Sequence, residues 1–176
     1  MPTRNQIGFE YSIRIQASPV LVLAAFFDPR ALGAWWEVTT SVATPRALGA
    51  YALEWSDSGQ ADEVFGRLGG VFHGTVIDFQ PGRGFFVADA YWLPPESDPV
   101  GPMAMEVTCT PADEPAGRAA APQATLLRVV QRGLDDSPRW QRYYEVLNAG
   151  WPRALETMRD YLEHGQGVWD LRRYVE

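Results

Sequence analysis

One long amphipathic helix near the carboxyl end constrains this sequence more than any other feature. Tyr144, Leu147, Trp151, Ala154, Leu155, Met158 and Leu162 recur at three- and four-residue steps, which draws one apolar stripe along a helix. Asp136 or Ser137 caps its start, Pro138 opens its first turn and Gly165 stops it. From Pro138 to His164 such a helix is roughly 40 Å long at ~1.5 Å per residue. Pro152 lies within the stripe and lacks the N–H that the carbonyl of Asn148 needs. It predicts a kink, which Gly150 loosens further. Nothing else in the chain makes a helix of this length, so the remaining residues must cover the stripe.

Those residues read mostly as strands. Phe9, Tyr11, Ile13 and Ile15 alternate with Glu10, Ser12, Arg14 and Gln16, the period of a half-buried strand. Ser18-Pro19 and Asp28-Pro29 each join an N-cap to a proline at the first helical position. They start two short helices in tandem, Val20 to Phe27 and a second running to about Trp35-Trp36. Strands then follow over Val38 to Thr44, Tyr51 to Trp55, Val71 to Phe79, Phe85 to Trp92, Met103 to Cys109 and Ala124 to Arg132. The turn Pro81-Gly82-Arg83-Gly84 makes a hairpin of two of them. Proline-rich loops at Leu93 to Pro102 and Pro111 to Pro122 interrupt the series. With no internal repeat or linker, the expectation is one domain over 1–176, with its core from about 8 to 164 and a tail over 165–176.

An antiparallel sheet with a single long helix to cover it curves around that helix, which predicts an α+β fold. Curvature of this kind leaves an interior gap between sheet and helix, where small ligands bind. Composition narrows the chemistry of such a gap. All 15 basic residues are Arg, so Schiff-base catalysis, a pyridoxal phosphate anchor and a phosphate-loop lysine are excluded. The single Cys109 and the two histidines, His73 and His164, cannot build a thiolate or histidine metal cluster. Neither metal nor cofactor is expected. A net charge of −7 argues against a nucleic-acid face. No apolar run reaches the ~20 residues of a membrane span, and no basic-then-apolar leader follows Met1. A soluble, cytoplasmic protein is expected.

Several segments resemble the START-like superfamily, also called SRPBCC or Bet v 1-like. Ile15-Gln16-Ala17-Ser18-Pro19 matches a first strand ending in "a-s-p", with Val22 to Phe27 in the place of the following "v-w-x-a-l-t". Asp28-Pro29 to Leu32 with Trp35-Trp36 is similar to "d-p-x-x-l-x-x-W-W". Pro45-Arg46 to Gly49 resembles "x-R-x-G-G", with Ala50 for the second glycine. Gly74 to Pro81 resembles "G-x-V-l-e-i-x-P". Gly150-Trp151, Leu155, Met158 and Tyr161-Leu162 follow "G-W-x-x-x-L-x-x-L-x-x-y-L". The order and spacing are closest to the branch of activators of the heat-shock chaperone ATPase. Pro152 and the proline-rich loops flanking Met103 to Thr110 depart from the pattern. The resemblance implies a helix-grip fold with a hydrophobic cavity. Its members bind lipids, sterols or aromatic molecules, act as cyclases or hydrolases, or assist a chaperone.

The chain has 22 aromatic residues, seven of them Trp and seven Tyr. Trp35, Trp36, Tyr51, Trp55, Trp92, Tyr144 and Trp151 carry polar N–H or O–H edges, and either pack a core or wall a ligand cavity. Leu147 and Met158 of the helix stripe and the adaptable Met105 join that wall. His73 is in register with Val71, Thr75, Ile77 and Phe79; if that face is interior it is a ligand anchor or acid/base group, and otherwise a rim histidine. Asp89 faces solvent if Phe86, Ala88, Ala90 and Trp92 point inward, and becomes a buried acid if the register is reversed. Gln131, on the uncharged face with Thr125, Leu127 and Val129, is a hydrogen-bonding candidate.

These readings favour non-covalent binding of a small hydrophobic or aromatic molecule, oriented by one or two of His73, Asp89 and Gln131, with Pro152 and the 93–102 loop gating entry. The alternative is a cyclase- or hydrolase-like enzyme using His73 or a buried acid. A chaperone-assisting domain ranks third, because the chain has no room for the extra amino-terminal domain of the larger activators. Val168, Trp169, Leu171, Tyr174 and Val175 of the tail dock either on their own domain or on a second copy, which would make a homodimer.

Overall fold

The computed structural model describes residues 8–112, 123–133 and 135–175. Most of the second proline-rich segment lies outside the described residues. Strand β1 (Phe9–Ile15) leads into α1 (Pro19–Ala24) and α2 (Pro29–Trp36). The two start signals work as read. Ser18 Oγ accepts from the Leu21 N–H at 3.4 Å, and Asp28 Oδ1 accepts from the N–H groups of Arg30 and Ala31 at 2.9 and 3.1 Å. Next come β2 (Thr40–Ala43), β3 (Ala50–Trp55), a minute hairpin of β4 (Ala61–Asp62) and β5 (Gly66–Arg67), then β6 (Gly70–Gln80), β7 (Gly84–Leu93), β8 (Val100–Pro111) and β9 (Thr125–Gly133). Helix α3 runs Pro138–Glu163, capped by Ser137, and α4 (Gly167–Leu171) follows.

Among the described residues seven strands form one antiparallel sheet in the order β1-β9-β8-β7-β6-β3-β2. Helix α3 packs against β1 and α2, and the whole is a helix-grip α+β fold. The pairing register aligns the inward residues in cross-strand rows. Phe9 faces Gln131, which faces Met105, which faces Val87; Leu53 faces Phe72, which faces Trp92. Each row is buried, so register and core specify one another.

Of the two phases the sequence left open for β6, the strand takes the one that turns His73 outward. Phe72, Gly74 and Val76 point inward, while His73 and Ile77 are exposed. A side chain at Gly74 would meet Val87 at 2.6 Å and Ala90 at 2.9 Å, so this inward position has to be bare. A register shift between Val76 and Asp78 then returns Phe79 to partial burial. A bare inward residue and a bulge together hide the phase from apolar periodicity. In β7 the expected phase holds for Ala90, Trp92 and the solvent-facing Asp89, and is corrected for Phe86 and Ala88. Phe85 and Val87 are buried, an irregularity follows, and Ala90 and Trp92 are buried. Asp89 stands at that irregularity with φ 49° and is exposed.

Helix α3 continues through Pro152 without a break. Asn148, whose carbonyl loses its donor there, is exposed, so water can replace the missing bond. Gly150 is also exposed, with nothing within 4 Å of where a Cβ would stand. Gly150→Ala should therefore raise stability by about 0.5–1 kcal/mol through helix propensity alone, read as a higher urea midpoint. A lower midpoint would show an unseen packing role for the glycine.

The tail is anchored to its own chain at Leu171 and by polar contacts, while Val168, Trp169 and Val175 stay exposed. Leu171 is fully buried, the Tyr161 hydroxyl donates to Asp170 at 2.8 Å, and Arg173 and Tyr174 both donate to Asp28 Oδ2, the second at 3.1 Å. The β4–β5 hairpin is tied down similarly. Asp62 accepts from the N–H groups of Val64 and Phe65 and from Arg142 Nε of α3 at 2.8 Å.

Candidate functional site

Between the sheet and α3 lies a cavity of about 760 Å³. Its floor takes one residue from each of five strands: Trp55 of β3, Phe72 of β6, Trp92 of β7, Met105 of β8 and Gln131 of β9. Helix α3 contributes Tyr143, Val146, Leu147, Gly150, Trp151 and Ala154, a stripe at three- and four-residue steps. Trp35 and Trp36 close it from the end of α2. Tandem placement of α1 and α2 directly after β1 is what carries this tryptophan pair across to α3.

The rings form two packed groups. Trp36 stacks on Trp35 at 4.8 Å between centroids, and meets Trp55 at 5.1 Å and Trp151 at 4.5 Å. Across the cavity Trp92 stacks on Tyr143 at 5.5 Å, with Phe65 edge-on behind them. Four tryptophans spend their polar ring edges on the protein itself. Trp35 donates its indole N–H to Ala25 O, Trp55 to Trp36 O, Trp92 to Gly69 O and Trp151 to Gln131 Oε1. With those N–H groups satisfied by protein, their rings offer the cavity apolar faces.

Three other sequence candidates belong to the core instead. Tyr51 is fully buried between Phe27 and Phe85, and its hydroxyl donates to Phe26 O at 3.0 Å; burial raises its pKa. The Tyr144 hydroxyl accepts from the Gly133 N–H at 2.9 Å, and Met158 is wholly buried farther along α3. His73 is on the outer face of the sheet, its ring against Tyr91 at 5.8 Å, so it is neither an anchor nor an acid in this cavity. Asp89, also exposed, is absent from the cavity wall.

The charged residues of the wall, Glu37, Asp57 and Arg153, are all exposed and sit at the mouth. The buried acids stand elsewhere, and their pKa values move the wrong way for a general acid. Burial works to raise that of Asp28, but the Ala31 N–H, the Tyr174 hydroxyl and Arg173 outweigh it and the net is lowered. The hydrogen bond from Arg142 lowers that of Asp62 against its burial. Burial pushes the Cys109 thiol up to about 12, which leaves it un-ionised and unreactive. Among the described residues no three His, Cys, Asp or Glu come together to hold a metal. Among the described residues no helix is long and apolar enough to cross a membrane.

Gln131 is therefore the inward polar group that the sequence singled out and the fold delivers to the cavity. It is 3% exposed. Tyr143, equally buried, was missed: its neighbour Tyr144 took the place in the stripe, although counting back four residues from Leu147 reaches Tyr143. Phe72 was missed because the phase of β6 was left open, and the exposed His73 takes the rim alternative.

No family model and no curated protein matches this sequence. Solved structures do match in fold. A protein of Mesorhizobium loti aligns at TM-score 0.58 and 20% identity over 88% of this chain and 97% of its own. One of Mycobacterium smegmatis aligns at 0.67 and 13%, covering 91% and 93% of the two chains. The Aha1 dimer of Colwellia psychrerythraea aligns at 0.59 and 16%, covering 91% and 98%.

Proposed function

We propose that this protein binds a small hydrophobic molecule, flat and aromatic or lipid-like, in the cavity between the sheet and α3. One observation carries the reading: a cavity of about 760 Å³ is walled by ring faces whose N–H groups are largely used up, with charge confined to its mouth. A ligand that buries ~300 Å² of apolar surface gains about 7 kcal/mol at ~25 cal/mol/Å². Association costs at least ~4 kcal/mol of that, so apolar burial alone supports weak binding and polar contacts set the affinity.

The enzyme alternative has lost its named groups, since His73 and Asp89 face away from the cavity. A chaperone-assisting role draws support only from the likeness to the Aha1 dimer, as does self-association. A pull-down that captured no chaperone ATPase would count against the first, and a monomer by native mass spectrometry against the second.

The binding test is a tryptophan-fluorescence titration with fluorene, a flat uncharged hydrocarbon. Saturable quenching is expected in the wild type. Gly150→Phe, which projects a ring into the open space at the mouth, should weaken it about tenfold or more while the fold stays intact by circular dichroism. Non-saturable quenching, or a variant that binds as the wild type does, would overturn the reading.

A further inference from the structure

The orientation of one buried carboxamide points to the polar group that the ligand carries. An indole N–H is a donor only, so the Gln131 atom that it meets at 2.6 Å must be the oxygen. That turns the amide nitrogen away from Trp151. Its partners are the Met103 sulfur at 3.7 Å and the Tyr143 hydroxyl oxygen, and the Tyr143 hydroxyl itself donates to the same sulfur at 3.4 Å. A thioether is a weak acceptor, so two donors, 3% and 4% exposed, converge on one point and are poorly satisfied there. Both residues line the cavity.

We infer that the ligand presents a neutral carbonyl oxygen, which accepts from Gln131 Nε2 and the Tyr143 hydroxyl together; this rests on the binding function proposed above. One carbonyl oxygen has two lone pairs, the number needed to receive both donors. Met103, with three rotatable bonds, can withdraw its sulfur to make room. A carboxylate fits less well, because among the described residues the wall's cation is Arg153, exposed at the mouth, and a buried anion without a cation is costly. Burial raises the pKa of Tyr143, so the phenol remains a donor throughout the physiological range. The tryptophan faces then hold the ring or chain attached to the carbonyl.

The test compares 9-fluorenone with fluorene, flat tricyclic molecules that differ in one carbonyl. Fluorenone should bind the wild type about tenfold more tightly, and its carbonyl stretch should fall to lower wavenumber than in hexane. Tyr143→Phe removes the hydroxyl and keeps the ring against Trp92. It should weaken fluorenone about 3–10-fold more than it weakens fluorene, and reverse part of the stretch shift. Equal affinity for the two probes, or a stretch unchanged from hexane, overturns the carbonyl inference and leaves apolar binding standing. Failure of both probes to bind overturns both. The wild-type comparison and the stretch decide the matter even if the variant does not fold.

Discussion

Replacing Trp151 by alanine should lower stability by about 3–5 kcal/mol and abolish detectable fluorene binding. The ring is 4% exposed, stacks on Phe9 at 6.1 Å and meets Trp36 at 4.5 Å, so it joins β1, α2 and α3 at one place. Its removal merges the space it fills with the existing cavity. Water can enter there, which favours the lower half of that range. Loss of the N–H also frees the Gln131 oxygen and with it the carboxamide's orientation. Trp151→Phe separates these effects: it keeps most of the packing and loses the donor, at about 1–2 kcal/mol. Urea unfolding followed by circular dichroism measures both. A loss below about 1 kcal/mol for the alanine variant would show that the ring is not part of the core.

Asp28→Ala should cost about 2–3 kcal/mol and release the tail. The carboxylate is wholly buried; one oxygen caps α2 at the N–H groups of Arg30 and Ala31, and the other holds Arg173 and Tyr174. Alanine leaves two N–H groups short of acceptors, at about 1 kcal/mol for a lost cap, and adds the cost of a broken buried pair. Arg173→Ala spares the cap, and because Arg173 is largely exposed its loss should be clearly the smaller of the two. The pH dependence has a definite sign. The folded pKa of Asp28 is lowered from 3.8, so its stabilisation is fully present above that pH and is lost as pH falls through the folded value. The gap between wild type and Asp28→Ala should close over that acid window. Hydrogen exchange should quicken over 167–174 in both variants. A gap that persists below the window would assign the loss to packing rather than charge.

Much of the wall was legible because it is periodic. Trp35 and Trp36 end a helix with two clear start signals. Leu147 and Trp151 fall on a regular stripe, Met105 on a strand with unbroken alternation, and Gln131 on the uncharged face of β9 with Thr125, Leu127 and Val129. Reading failed where alternation is interrupted or ambiguous. Gly74 gives no apolar signal at an inward position, and the β6 and β7 irregularities shift the phase of everything beyond them. Along α3, Tyr143 and Tyr144 are both buried, and nothing in their identities says which one faces the cavity. The short β4–β5 hairpin, with Asp62 gripping Arg142, has too few residues to show any period.

Local patterns by themselves determined the order of the main strands and helices, the capped starts of all three main helices and the wrapping of an antiparallel sheet around α3. Each depends on residues close in sequence, where propensity and period act. Only tertiary structure decided how the polar groups are shared. Trp35, Trp55, Trp92 and Trp151 donate to acceptors 10 to 23 residues away, and Gln131 and Tyr143 converge on a sulfur 28 and 40 residues distant. A hydrogen bond is satisfied by proximity in space, which composition and spacing do not encode. The same tryptophans that the sequence offers as polar-edged walls therefore become apolar faces. The polar contact passes to a glutamine and to a tyrosine that the helix stripe alone did not single out.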